Sequence, residues 1–441
     1  MLGGCRFFLY LNVLIIVLLM RKCVLCGGLV NCRYHRGPAS DYDRWAKLTN
    51  DPSWSYESLL PLFRKSEGFE DTTFESDYIT HNPSEKYHGR DGEWKVSYQA
   101  YFHKCSSYFI RATEYIGIKF NPDFNAETTL GVGRIQTFVD AKDTARSNTE
   151  KAFLNATVRA RPNLSVITSA TCLRVMVEHG KCTGVIVLYR GEELFIPASR
   201  QVIVSCGAFD SPRILASSNI PLPGIGKNLQ DHLGINVSFK LPDTIDKSIQ
   251  TIDSYNGIIN KYITLLKYFL YKRGPAASNI GEAVAFYRTK LEHILQNDPS
   301  SGPESPHVEL IALPLLTHHH EGQQSLVRTR PDFNWTQFDW NGRYVTIVPL
   351  LLNPYSRGEL RFKDGGMEID PNYLCDERDL DVLIDGVKMI RRIVKEGYPH
   401  VGFEGLEEVM PGEHIKTDQG IGVYARDNVE TYYHPVGTCK V

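Results

Sequence analysis

One side chain able to move a proton is His434, in the run His434-Pro435-Val436-Gly437-Thr438-Cys439-Lys440-Val441. An imidazole titrates near neutrality, so it can take up or release a proton at working pH. A solitary histidine beside a proline is more often a surface or core residue than a base, so its role must come from its surroundings. A second stretch with chemical potential is Cys206-Gly207-Ala208-Phe209-Asp210-Ser211-Pro212. Gly207 and Ala208 let another group approach the backbone closely. Ser211 can cap a helix whose first turn holds Pro212. A strand running through small residues into a helix start is where α/β proteins place nucleotides and other anions. Metal chemistry is only faintly signalled. His318, His319 and His320 are adjacent and cannot all face one ion, and Cys23, Cys26 and Cys32 show part of a zinc spacing with no fourth ligand near. No metal site is expected.

These residues need elements to position them. Leu164 to Thr168, Thr171 to Glu178, Cys182 to Arg190 and Glu193 to Pro197 alternate like strands, with His179-Gly180-Lys181 as a turn, which predicts a small antiparallel meander. Gln201 to Ser205 is almost continuously apolar, the pattern of a strand buried on both faces, and leads into Gly207. Asp376 can cap a long helix with Leu380, Leu383, Ile384, Val387, Ile390 and Val394 on one side and Gly397 after its end; that stripe reads as core. Tyr344 to Leu352 reads as a strand, and Gly358 to Lys363 as its hairpin partner across Asn353-Pro354. A sheet domain with packed helices is therefore expected over 236–430.

The chain of 441 residues has 49 basic and 51 acidic residues. That balance gives no electrostatic case for nucleic acid. Phe7 to Met20 is apolar except for Asn12 and is flanked by Arg6, Arg21 and Lys22. It is short for a membrane span of about 20 residues and fits a signal-peptide core, which predicts secretion, with membrane association through that segment as the alternative. Sequons at Asn155, Asn163, Asn236 and Asn334 are compatible with secretion and add little to it.

Read in order, several motifs resemble the glucose-methanol-choline (GMC) oxidoreductases from Tyr34 to Lys440. They are Arg36-Gly37 with Asp41-Tyr42-Asp43-Arg44-Trp45; Ala145-Arg146-Ser147 to Phe153-Leu154 with Arg161-Pro162-Asn163-Leu164-Ser165-Val166; Gly207 to Ser218; Gly226-Lys227-Asn228-Leu229-Gln230-Asp231-His232; Pro354-Tyr355-Ser356-Arg357-Gly358; and Tyr433-His434-Pro435. The order makes the set specific, and the glucose dehydrogenase-like branch is the most similar. The resemblance implies an α/β (α+β) fold, in which a partial FAD-binding domain of glutathione-reductase type is interleaved with an antiparallel-sheet substrate domain. It implies a signal-like or spurious segment over 1–33, an FAD-binding domain over 34–235 with substrate-side insertions near 41–140, a substrate domain over 236–430, and the start of a further FAD-domain segment over 431–441.

The implied reaction is oxidation of an alcohol or sugar: His434 takes the hydroxyl proton while hydride passes to FAD, with oxygen or a quinone as final acceptor. Val166, Gly207 and Ala208 match cofactor-contacting positions of the family, and Cys439 reads as small buried packing. The oligomeric state is left open. Three departures accompany the resemblance. No Gly-x-Gly-x-x-Gly follows a strand near the N-terminus, and Gly131-Val132-Gly133 and Gly224-Ile225-Gly226 lack the third glycine. Only Gly27-Gly28 and Asn31 echo the flavin-side signature. Asn219-Ile220 runs directly into Pro221-Leu222-Pro223-Gly224, where the family has a longer connection. With the family's sequence also continuing beyond the histidine segment, the alternative expectation is an incomplete or catalytically inactive member without tightly bound FAD. Cyanohydrin lyase chemistry, known in the same family, is not favoured by any residue.

Overall fold

The computed structural model describes residues 7–10, 32–71, 84–220, 222–255, 258–317, 342–363 and 366–440. Its centre is an eight-stranded antiparallel sheet. Glu407–Met410 lies at one edge, followed by Val237–Lys240, Tyr344–Leu351, Val308–Leu313, Ala283–Tyr287 and Gly131–Arg134. The short strand Leu233–Gly234 pairs with both Tyr344–Leu351 and Glu430–Thr431. Residues from both sides of the 236–430 region thus enter one sheet.

Tyr344–Leu351 is buried along its whole length, as a strand covered on both faces should be. Side chains alternate across a strand. Val345, Ile347 and Leu351 therefore meet the helix side, and Val348 and Leu350 turn the other way toward Phe124, Phe286 and Ile311. The helix Glu377–Arg392 covers the first face, capped by the Asp376 carboxylate, which accepts the Arg378 N–H at 3.0 Å. Leu380, Leu383, Ile384, Val387 and Ile390 are all buried on it, as the sequence pattern predicts. Gly386 allows the close approach: a Cβ there would stand 2.5 Å from that of Pro349. The second face of the sheet is the one that carries the candidate site.

The hairpin expectation is corrected. Glu359–Lys363 pairs with Gly366–Asp370, not with Tyr344–Leu351. Both edges of Tyr344–Leu351 are already taken by Val237–Lys240 and Val308–Leu313, so no ladder is left to join.

The meander is present as Ala170–Glu178, Lys181–Tyr189 and Glu192–Pro197, turned at His179 and Gly180, whose φ values are 50° and 76°. Leu164–Ile167 stands apart from it and pairs antiparallel with Phe7–Tyr10. The rest of the apolar N-terminal run, Cys23, Cys26, His318 to His320 and Asn334 lie outside the described residues.

Gln201 to Ser205 is not a strand. Val202, Ile203 and Val204 are half-buried in irregular backbone. An apolar run forms a strand only beside a partner that satisfies its N–H and C=O groups, and none of the described strands pairs with it. The helix that follows also begins earlier than expected. It spans Gly207–Ser217, so Pro212 lies inside it, and Ser211 turns back to accept the Cys206 N–H at 2.9 Å.

Candidate active site

Three sequence motifs far apart in the chain meet around His434. The Gln230 N–H donates to the Val436 carbonyl at 3.0 Å and the Val436 N–H returns to Gln230 at 2.9 Å. The Gly226 N–H reaches the Thr438 carbonyl at 2.8 Å. Gly437 has φ 92°, and a Cβ there would lie 2.3 Å from the Asn228 carbonyl oxygen, so this seam requires a glycine. Leu229 and Gly358 exchange backbone hydrogen bonds at 2.9 Å each, which brings in the Pro354–Gly358 motif. That loop is held in turn by the buried Asp379 carboxylate, which accepts the N–H groups of Tyr355 and Ser356 at 2.7 and 2.9 Å.

A fourth motif joins through Pro212. A proline inside a helix cannot donate to the carbonyl four residues earlier, which here is Ala208. Thr438 fills the vacancy: its buried hydroxyl donates to the Ala208 carbonyl at 2.5 Å. With Thr438 turned inward, its neighbour Cys439 points out. The expected buried packing role of Cys439 is therefore corrected, since the residue is exposed.

Asp231 organises the histidine segment. Its buried carboxylate accepts the His434 N–H at 3.0 Å, the Thr431 hydroxyl at 2.5 Å and the Tyr373 hydroxyl at 2.8 Å. His434 is thereby set against His232, with Nδ1 to Nδ1 at 3.0 Å and ring planes at 86°. His434 is exposed at the surface. Burial pushes its pKa below the ordinary imidazole value, the Asp231 charge opposes that, and Arg33 adds to it. Burial and the neighbouring His434 push His232 further, to about 3, so His232 is neutral at physiological pH.

The tautomers follow from the partners. His232 also hydrogen-bonds the Leu352 backbone. With its Nδ1 engaged by His434, Nε2–H is the group left to donate there. The His232 Nδ1 lone pair then accepts Nδ1–H of His434, and Nε2 of His434 carries the free lone pair.

The wall of the site comes from the segment that holds Arg33 to Arg36. Arg33 pairs with Glu309 at 2.5 Å and donates to the Gly281 carbonyl at 3.1 Å. His35 stacks on Phe286 with ring centroids 4.8 Å apart. Its Nε2 is buried with no hydrogen-bond partner, and burial followed by the Arg33 charge lowers its pKa to about 4. Arg36 anchors the segment: it is buried, binds Glu67 at 2.7 Å and donates to the Tyr87 carbonyl at 2.7 Å. His88 bridges Glu67 and Asp123 at 2.8 and 2.9 Å, and these bonds outweigh burial and raise its pKa.

The remaining predicted residues lie apart from this cluster. Val166 sits on Leu164–Ile167 opposite Phe8. Gly207 opens the helix Gly207–Ser217 with φ 81° and free space where a Cβ would be, and Ala208 follows it. Ile167, Cys206 and Ile214 share one small core, which brings these positions to a common region. Gly131 and Gly133 belong to a sheet strand where Asn121 approaches too closely for any side chain, so they form no phosphate loop.

As a test of an FAD site, the two ends differ. The buried, unpartnered His35 Nε2 is a donor or acceptor that a bound polar group could serve, and the open Gly207 helix start suits an approaching group. A strand–glycine–helix unit for the pyrophosphate is not found among the described residues: their parallel pairings are Glu67–Phe69 with Trp94–Val96 and a single bridge between Phe120 and Val132.

Sequence reasoning singled out His434 but assigned no role to His232, Asp231, Thr438 or the Arg33–Glu309 pair. The signal that could have found His232 is its place at the end of the Gly226–His232 motif, a second histidine among the ordered motifs.

Comparison with known proteins identifies the family. Residues 15–234 and 354–441 match the N- and C-terminal models of the family described as GMC oxidoreductase. An alcohol dehydrogenase [acceptor] of Pseudomonas putida is 29% identical over 432 residues, covering 92% of this chain and 70% of that protein. An oxygen-dependent choline dehydrogenase of Photobacterium profundum is 29% identical over 430 residues, covering 92% and 67%. Among solved structures, an FAD-dependent oxidoreductase from Chaetomium thermophilum superposes with a TM-score of 0.77 at 20% identity, covering 98% of this chain and 79% of that one. Pyridoxine 4-oxidase from Mesorbium loti gives 0.70 at 20% identity, covering 92% and 71%.

Proposed function

This chain belongs to the GMC oxidoreductase family, and from that premise we propose that it oxidises the CH–OH group of a small alcohol or sugar with His434 as the base. The observation that carries the reading is the His232–His434 pair, which leaves Nε2 of His434 as an open acceptor. The lowered pKa keeps that nitrogen unprotonated at neutral pH, where it accepts the hydroxyl proton. Asp231 favours the imidazolium that results and holds the backbone of His434 in place. FAD is the cofactor, and when bound it supplies the hydride acceptor. Oxygen or a quinone is the proposed final acceptor. Val166, Gly207 and Ala208 would contribute to holding the cofactor at its far end.

A second reading has two observations in its favour: among the described residues, the Val202–Val204 run has no strand partner and no strand–glycine–helix unit for a pyrophosphate is found, which fits a chain that keeps the fold without binding FAD tightly. One experiment separates the two. The purified chain is examined for the visible flavin band and for its anaerobic bleaching by primary alcohols and sugars. Bleaching on addition of one of these supports the oxidoreductase reading. A folded, colourless protein that takes up no added FAD overturns it.

A further inference from the structure

The helix Ile258–Tyr271 has no role in the site, and its surface is unusual. Tyr262, Ile263, Leu266, Phe269, Leu270 and Tyr271 are all exposed, Leu266 at 58% and Phe269 at 67%. The helix packs chiefly against the two short turns that flank it, Ile252–Tyr255 and Pro275–Ala277. Contiguous exposed apolar surface of this kind marks an interaction site in a soluble fold. Charge narrows the partner. Between Asp253 and Glu282 the sequence has no acidic residue, but it has Lys261, Lys267, Lys272 and Arg273. Lys272 reaches back over the Tyr268 and Phe269 rings at 5.1 and 5.9 Å, which leaves a cation among aromatic groups.

We propose that this helix docks in the plane of a lipid surface bearing anionic headgroups. At 14 residues it is about 21 Å long, short of the roughly 30 Å hydrocarbon core, so it lies on a membrane and does not cross it. No described helix is long and apolar enough to cross. Leucine, phenylalanine and tyrosine side chains suit the acyl boundary, and the lysines and arginine suit anionic headgroups. A second copy of the chain is the poorer occupant, because it would press two cationic helices together.

The full chain is sedimented with vesicles of phosphatidylcholine alone and of phosphatidylcholine with phosphatidylglycerol. It is expected to pellet with the anionic vesicles and to be released by high salt. Phe269→Glu with Leu270→Glu, and separately Lys267→Glu with Arg273→Glu, are each expected to weaken that binding about tenfold or more with unchanged thermal melting. The proposal is overturned if the wild type stays in the supernatant with both vesicle types, or if both variants bind as it does. It is also overturned if no vesicle binds and sedimentation velocity shows a dimer that the Phe269→Glu, Leu270→Glu chain cannot form.

Discussion

The seam around His434 and the region around Gly207 begin from similar material, short motifs rich in glycine and small polar residues, and they end very differently. In the seam, residues 226–234, 354–358 and 430–438 satisfy one another across the chain through paired backbone bonds and the Asp231 and Asp379 carboxylates. Around Gly207, Val202 to Val204 find no ladder among the described residues and the helix start is open. The contrast shows that a motif becomes structure when its partners are present. It also sets the His434 seam on elements that hold one another, while the Gly207 helix start stays open.

The sharpest probe of the built half is to remove His434, its proposed base. His434→Ala is expected to lower kcat by about 10²- to 10⁴-fold in flavin-loaded protein, with flavin content unchanged. Steady-state kinetics check this, and a loss under tenfold would break the assignment. The pH profile adds a sign. A base with a lowered pKa stays competent until pH falls below the ordinary imidazole value of 6.5, so the acid limb of kcat/KM should lie below that pH. An acid limb above 6.5 would contradict the burial that pushes His434 down.

The next effect falls on the seam itself. Asp231→Ala leaves the Thr431 and Tyr373 hydroxyls and the His434 N–H without their acceptor, and is expected to cost roughly 3 kcal/mol of unfolding free energy. Denaturant titration measures it. A cost under about 1 kcal/mol would mean that the seam is held by packing alone.

Thr438→Val tests the bond between the two regions. It keeps the shape of the side chain and removes the donor to the Ala208 carbonyl, which Pro212 cannot serve. A loss of about 1–2 kcal/mol is expected, with the helix Gly207–Ser217 losing amide-exchange protection first. Uniform protection in the variant would show that the two regions are not coupled through Thr438.

Legibility from sequence followed the same divide. The meander and the Asp376-capped helix with its buried stripe were readable because each rests on local periodicity or capping, and the order of motifs was readable through its resemblance to the family. His434 was readable by its motif. His232 and Asp231 were present in a recognised motif, but their roles depend on a contact with residues about 200 positions away, which no local pattern encodes. Gln201 to Ser205 failed as a strand for the opposite reason: the pattern was right for burial, and no described strand pairs with it. The strand Tyr344–Leu351 was found, yet its partner was misassigned, since sequence proximity cannot report that both of its edges are occupied.

The smallest predicted effect concerns that unpaired run. Ile203 is half-buried, and it lies outside the small core formed by Cys206, Ile214 and the meander. Ile203→Ala should therefore cost less than about 1 kcal/mol, whereas Ile347→Ala, in a fully buried position of the central strand, should cost about 2–5 kcal/mol. Both are read by the same denaturant titration of the chain without added FAD. Repeating it with FAD sharpens the comparison. If the cofactor orders the Gln201 to Ser205 run, the cost at Ile203 rises while that at Ile347 stays constant. Equal costs at the two positions without FAD would mean that the run is already packed as a core strand, and the contrast between the two regions would fall.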